Sequence, residues 1–362
     1  MSYKKKNKLS VFLVLDHAPD YRESFLQELC KYVNLTVVAQ PCEQDFLCPP
    51  DRRIGYEYIE LPTLRFEGTN WQPGLVRLLI GKSWDAICVD LNLRHLTRLY
   101  LYLKGRGYRK RWIWRGQIFG HNDNRPIRWV RRNLLKYSAG CLTYSQPIAQ
   151  RVFDLFGVKA VSFNNTQVRQ EDFRQPVFDT HSGLRLLFVG RNQPRKKLDR
   201  LISLAMRCSD VHVRLIGTGM ESLMIPAELS ASGRVAVISR TIGKDLDPHF
   251  DWADLVASPG HVGLLVLNAA QHGKGIVIDN QSRHAPEFWP AKEAAQPFIN
   301  FENEYEINKF IDYMKNHRWK LQEWGHRLQD VAKQKYSIEY MAQVHYRMFE
   351  DVATGAKPES HA

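Results

Sequence analysis

Apolar residues recur along this chain in two rhythms. Short runs of aliphatic and β-branched residues alternate with stretches where apolar positions return every three or four residues. The segment "LSVFLVLD" (9–16) reads as a strand buried on both faces, and "APDYRESFLQELCKY" (18–32) places Phe25, Leu26 and Leu29 at helical spacing. "NLTVVAQ" (34–40), "WDAICVDLN" (84–92), "RKRWIWRGQ" (109–117) and "AGCLTYS" (139–145) are further strands, with helical stretches between them. The rhythm resumes after a polar segment, "RQEDFRQPVFDTHSG" (169–183), which reads as a linker. Beyond it the predicted strands are "LRLLFVGR" (184–191), "DVHVRLIGTG" (210–219), "RVAVISR" (234–240), "LVASP" (255–259) and "GIVID" (275–279). Helices are expected at "LDRLISLAMRC" (198–208) and "LDPHFDWAD" (246–254). Strands that alternate with helices predict an α/β fold with parallel sheets covered on both faces. The C-terminal part differs: three helical stretches, near 303–317, 319–334 and 337–352, follow without strands, and the last ten residues read as frayed.

With 362 residues, 44% hydrophobic and 25% charged, the chain is globular and long enough for two cores. The expected domains are 1–172 and 183–336, with the amphipathic helix 337–352 returning to the first. No apolar run approaches a membrane span, and the basic "KKKNK" near the start leads into no long apolar region. The expectation is a cytoplasmic protein, or one peripheral on the inner face of the cell membrane. Six cysteines are scattered without a C-x-x-C pair, which argues for free thiols over a disulfide framework or a zinc site.

Charge changes the picture. The net +13 is concentrated in residues 1–175, which hold 28 Lys and Arg against 16 Asp and Glu; the rest of the chain holds 23 against 22. The first half is therefore expected to meet an anionic partner. Its basic residues interleave with aromatics in "RHLTRLYLYLKGRGYRKRWIWR" (94–115) and "RPIRWVRRNLLKY" (125–137). That mixture suits the headgroup region of an anionic membrane. Single-stranded nucleic acid and an ordinary amphipathic surface are the competing readings.

Two stretches of the second half carry candidate chemistry. "SPGHVGLLVLNAAQHGKGIVI" (258–278) runs from a strand end through a glycine turn into a short helix and another strand. Unpaired amides of such a turn suit phosphate, and Gly260 and Gly263 would let the main chain approach a ligand; plain α/β packing is the alternative. "FVGRNQPRKK" (188–197) places Arg191 and Lys196 on the loop leaving a strand, where two cations can clamp a diphosphate; the alternative is a solvated basic loop. Other patterns weigh less. "DLD" (245–247) precedes a helix start and reads as capping, "GTGMES" (217–222) lacks the third glycine of a dinucleotide fingerprint, and "GHVGL" holds no nucleophilic serine. The thirteen histidines show no metal-ligand spacing.

The succession "VGR-x4-K", "LDRLI", "LIGTGME", "ADLVASPGHVGL" and "HGKGIVI" resembles the C-terminal domain of family 4 glycosyltransferases over about 184–352. That family has the GT-B fold: two Rossmann-like domains facing across a cleft, with a C-terminal helix crossing back to the first. The resemblance implies a nucleotide-diphosphate sugar as donor substrate, no resident cofactor and no metal. Arg191 and Lys196 would hold the diphosphate, and Gly190, Gly217, Arg240, Thr241, Gly260, His261, Val262, Gly263, Leu264 and Asn268 would complete the donor side. One departure stands out. The family's two glutamates, with seven residues between them, are replaced here by Gly260 and Asn268, as in a divergent branch similar to polysaccharide-assembly enzymes. The first half matches less closely; it would supply Tyr21, Arg22, Asn92 and Arg94 on the acceptor side and His121 as the polar group beside the acceptor hydroxyl, a structural histidine being the alternative. The implied function is transfer of a sugar, with retention, to a lipid-linked or polysaccharide acceptor. A lipid-linked acceptor favours the membrane over nucleic acid, which is not expected as a partner. A non-catalytic nucleotide-sugar- or glycan-binding protein of the same fold, and a nucleic-acid-binding protein using the basic half, are the other readings.

Overall fold

The computed structural model describes residues 8–42, 47–120 and 124–356. The chain forms two compact units, one running to Gln167 and resuming at Ile338, the other spanning Val168–Ser337.

In the first unit a seven-stranded parallel sheet is built from β1 (Ser10–His17), β2 (Asn34–Gln40), β3 (Glu57–Glu60), β6 (Ala86–Asp90), β7 (Trp112–Gly116), β8 (Gly140–Thr143) and β9 (Val161–Ser162). A hairpin of β4 (Leu64–Phe66) and β5 (Thr69–Trp71) stands apart from it. The strand order is β3-β2-β1-β6-β7-β8-β9, so the chain reverses direction of growth beside β1, between β1 and β6. The helices are α1 (Glu23–Leu29), α2 (Pro73–Ile80), α3 (Leu96–Lys104), α4 (Arg125–Lys136) and α5 (Gln146–Phe156). Asn124 caps α4 by accepting from the Ile127 amide at 3.1 Å. Val11, Leu13, Cys88 and Leu142 pack on one face of the sheet and Phe12, Val14, Val89 and Trp114 on the other, as alternation along a doubly covered strand requires.

The second unit repeats the plan with a six-stranded parallel sheet of order β12-β11-β10-β13-β14-β15. Its elements are β10 (Leu184–Val189), α6 (Asp199–Arg207), β11 (Val211–Ile216), α7 (Ala227–Ala231), β12 (Val235–Ile238), α8 (Asp247–Trp252), β13 (Leu255–Ser258), α9 (Leu265–Gln271), β14 (Gly275–Asp279), α10 (Trp289–Glu293), β15 (Phe298–Ile299), α11 (Glu304–Asn316) and α12 (Trp319–Lys335). Here the order reverses between β10 and β13. Such switch points open a crevice at the carboxyl ends of the strands, where open α/β sheets take ligands. The last helix, α13 (Ile338–Thr354), belongs to the first unit: Met341, Ala342, Met348 and Phe349 join the core of β1 and α1. Burial of Met341, Met348 and Phe349 contributes roughly 1.5–3 kcal/mol each.

The expected strands and helices form, with shifts at their ends. The strand expected from residue 109 begins at Trp112, because Arg106–Arg111 wind into a 3₁₀ turn. The helix expected over 18–32 shortens to a 3₁₀ turn (Asp20–Arg22) and α1. Four short strands, β3, β4, β5 and β15, and the two-residue β9 carry too little apolar pattern to be read in advance. Asp247 does not cap α8; its carboxylate lies 2.9 Å from His272 Nε2 and 3.2 Å from Arg174 Nη1. All six cysteines are free.

Candidate functional site

The carboxyl edge of the second sheet is laced together by main chain. The Gly190 amide donates to Ile216 O (2.9 Å), the Gly217 amide to Ile238 O (3.1 Å) and the Asn192 amide to Thr218 O (2.9 Å). A Cβ on Gly217 would stand 1.8 Å from Gly190 O, so only glycine fits where these strand ends meet. From there the loop bearing Arg191 and Lys196 folds onto the turn after β13. His261 N donates to Arg195 O at 2.8 Å, and Lys196 Nζ donates to His261 O at 2.8 Å.

Gly260 lies beneath this latch. A Cβ there would sit 2.4 Å from Arg195 O and 2.7 Å from Lys196 O. The position that carries a glutamate in the family this segment resembles is closed by the neighbouring main chain. Lys196 is half-buried; burial, then Arg195 and Arg191, pull its ammonium from the usual range down to about 8. It stays largely protonated at neutral pH and concentrates positive charge against the turn.

The turn has its own supports. His261 Nδ1 lies 2.7 Å from Arg283 O and so carries the proton there; burial disfavours its charged form. Val262 N donates to His284 Nδ1 (3.3 Å), which obliges His284 to carry its proton on Nε2, 2.9 Å from Asp279 O. Two of the four turn amides, those of His261 and Val262, are therefore already engaged, leaving those of Gly263 and Leu264 as the candidate donors. Val262 is fully buried and shapes the turn from behind. Arg200 was read only as part of a helix, yet it holds Pro259 O at 2.9 Å while pairing with Asp279 (3.2 Å) and Glu302. Asn268 lies half-buried within α9. Arg240 and Thr241 follow β12, two strands out from β10, with Thr241 Oγ1 bonded to Ser239 O at 3.1 Å.

The first unit holds a cavity of about 650 Å³ at the carboxyl ends of β1, β6 and β7. The structure brings Tyr21, Arg22, Asn92 and Arg94 together in its wall. His121 lies outside the described residues. Charged groups that the sequence reading passed over form the cavity's floor. Asp16, on β1, accepts from Arg98 Nη1 at 2.5 Å and Asn92 Nδ2 at 3.1 Å. Burial opposes that carboxylate, but Arg98, His95 and Asn92 more than offset it and hold its pKa below the usual range. Asp90 pairs with Arg115 Nη1 at 2.6 Å, across the register that sets the two residues opposite each other on β6 and β7. Arg115 Nε donates to Nε2 of His345 on α13 at 3.1 Å; burial keeps that imidazole neutral, and its Nδ1 lies 2.7 Å from Met341 O. His95, pushed down to about 4 by burial and Arg98, is likewise neutral. A signal for these residues existed: Asp16, Asp90 and Arg115 are each a charge at the carboxyl end of an otherwise apolar strand.

No protein-family model matches this chain, and no curated protein is detectably similar to it in sequence. Solved structures are similar in fold. HepE from Anabaena, determined in complex with UDP, superposes with a TM-score of 0.67 at 15% identity over 95% of this chain and 100% of that one. The fold is GT-B. A glycosyltransferase from Rickettsia africae superposes with a TM-score of 0.71 at 12% identity, over 97% and 100% of the two chains. A protein from Listeria monocytogenes described as a UDP-N-acetylglucosamine 2-epimerase superposes with a TM-score of 0.61 at 12% identity, over 98% and 100% of the two chains. At these identities the likeness speaks for architecture; function has to be argued from the sites.

Proposed function

We propose that this protein is a glycosyltransferase that moves a sugar from a nucleoside-diphosphate sugar to a lipid-linked or polysaccharide acceptor. The observation that carries the reading is the Lys196 latch: a largely protonated, desolvated ammonium 2.8 Å from the turn carbonyl, with Arg191 on the same loop, at the switch point of a parallel sheet. Diphosphate leaving in the reaction develops negative charge, and fixed cations placed there lower the barrier without a metal. The Gly263 and Leu264 amides add two donors. The complex of HepE with UDP supports a uridine nucleotide as the first donor to try. Retention of configuration, metal independence and a role for His121 rest on the family resemblance.

The cavity of the first unit would take the acceptor. Nearby, α4 exposes Trp129 at 67% and Tyr137 just past its end, among Arg125, Arg128, Arg132 and Lys136, and α3 exposes Leu96, Tyr100 and Leu103 at intervals of three and four. Among the described residues no helix is long and apolar enough to cross a membrane. A basic, aromatic-studded surface of this kind supports peripheral contact with an anionic membrane, where a lipid-linked acceptor resides.

The deciding experiment is thermal unfolding against UDP, GDP, ADP, CMP and their sugars, with Arg191→Ala alongside. A ligand at a hundred times its Kd adds about 2.7 kcal/mol to the folded state. Stabilisation by one diphosphate, lost in the variant, supports the donor site; folded protein that answers to none overturns it. One observation favours a second reading, a non-catalytic sugar-nucleotide-binding protein: no side chain can stand at position 260. Turnover of the stabilising nucleotide sugar, assayed with lipid extract as acceptor, separates the two.

A further inference from the structure

Four arginines line the cavity of the first unit, Arg22, Arg94, Arg115 and Arg131; the circumstances of two of them, Arg22 and Arg115, differ from those of Arg98, which lies outside the lining. Arg98 is 1% exposed and its charge is met by a carboxylate: its Nη1 meets Asp16 and Asp90 O and its Nη2 meets Leu15 O, while its Nε is buried with no partner. Arg22 is 7% exposed, yet among the described residues no carboxylate pairs with it. Its guanidinium donates to the neutral Asn165 side chain and lies 5.6 Å and 5.8 Å from the ring centroids of Tyr21 and Tyr144. Arg115 is 1% exposed; its Nη1 holds Asp90 and its Nε holds His345, but its Nη2 is buried with no partner. Both guanidinium groups flank the same ring, Arg115 standing 5.7 Å from the Tyr144 centroid.

Burying a guanidinium without an anion is costly, and leaving a buried N–H unmet adds to the cost. The cavity's own carboxylates do not relieve it. Asp16 is taken up by Arg98 and Asn92; Asp90 receives Arg115 on one oxygen and the Asp16 amide on the other at 3.0 Å. What remains is a roomy recess with surplus positive charge at its base, and Arg94 exposed at its rim.

We propose that this cavity binds an acidic group of the acceptor, a carboxylate or a phosphate monoester carried on a sugar, between Arg22 and Arg115. The proposal rests on the glycosyltransferase reading for the word acceptor; the anion site itself follows from the two arginines. Arg22 supplies the uncommitted charge, Arg115 Nη2 supplies a directed donor, and Tyr144 spaces them. A planar carboxylate or a phosphate suits paired guanidinium donors. A neutral sugar would leave both defects in place, so the same geometry selects against it.

The test is calorimetric titration of the full chain, first saturated with UDP so that the second unit's cations are occupied. Glucuronate, glucose 6-phosphate and glucose are the probes, and wild type, Arg22→Gln and Arg22→Lys the proteins. The expected result is binding of at least one acidic probe at least tenfold tighter than glucose. Whichever acidic probe binds tells carboxylate from phosphate. Arg22→Gln is expected to lose at least tenfold in that affinity and Arg22→Lys to keep part of it, both retaining the UDP response that certifies a folded chain. The proposal is overturned if glucose binds as well as the acids, if no acidic probe binds at millimolar concentration, or if Arg22→Gln changes affinity less than twofold. Should Arg22→Gln not fold, the comparison of acids with glucose on the wild type and Arg22→Lys still decides. Acid binding in a protein that ignores every nucleotide would remove the donor reading and leave this one standing; the converse result would do the opposite.

Discussion

The two units share a sheet plan and build their candidate sites from different materials. In the second, the candidate site is main chain against main chain: a Cβ on Gly217 would stand 1.8 Å from Gly190 O, and one on Gly260 2.4 Å from Arg195 O. In the first, it is charged side chains locked to one another: Arg98 to Asp16, Arg115 to Asp90 and His345. A site of the first kind is sensitive to added atoms, one of the second kind to removed charges. That contrast can be broken by experiment.

The largest effect is expected from Arg115→Met, which leaves Asp90 facing the cavity floor without its cation; unfolding by urea should show a loss of about 3–5 kcal/mol. If the loss is small, the charged floor is not what holds the first site. Next, Arg191→Ala should abolish the roughly 2.7 kcal/mol of stabilisation that a hundredfold excess of the preferred nucleotide over its Kd confers. Gly260→Ala adds a single carbon, and should cost about 1–3 kcal/mol in stability and weaken nucleotide binding by displacing the Arg195–Lys196 main chain. A tolerated alanine there would mean that the latch is loose.

A subtler probe is pH. On the proposed reading Lys196 would bind a diphosphate as the ammonium; burial and the neighbouring arginines bring its pKa down to about 8, so nucleotide affinity should hold up to neutrality and fall as pH rises through about 8. The fall approaches tenfold per pH unit, and Lys196→Arg should flatten it over the same range. The smallest effect is expected from Arg94→Ala: an exposed rim charge whose loss should leave stability within about 0.5 kcal/mol. It should reduce only the rate at which anionic sugars reach the first cavity, read by stopped-flow binding.

The same contrast explains what could be read from the chain beforehand. Glycines at strand ends and cations five residues apart are local features, so the second site was legible in "FVGR" and "PGHVG". The long runs of β1, β10 and β14 were legible because a doubly covered strand has to be apolar throughout. The first site was half legible. Tyr21, Arg22, Asn92 and Arg94 stood in recognisable loops, but the partners that define the floor are distant: Arg98 meets Asp16 across 82 positions and Arg115 meets His345 across 230. No spacing rule reaches that far. Likewise the seating of Gly260 under Arg195 is set by tertiary contact, and its glycine could be seen only as a missing glutamate. The short strands β3 and β15 form because a neighbouring strand offers them an edge, with little pattern of their own.

The return of α13 to the first unit carries a consequence for how the protein comes into being on the ribosome. Residues 8–167 emerge first, yet β1 and α1 lack part of their apolar cover, and Arg115 its imidazole, until the segment from Ile338 has been translated. The second unit is contiguous from Val168 to Ser337, so its core can close while the first still waits. The half of the protein that is born first is completed last, and a released chain cut short before residue 338 would present a finished second unit tethered to an open, basic first one, the state on which chaperones and proteases would act.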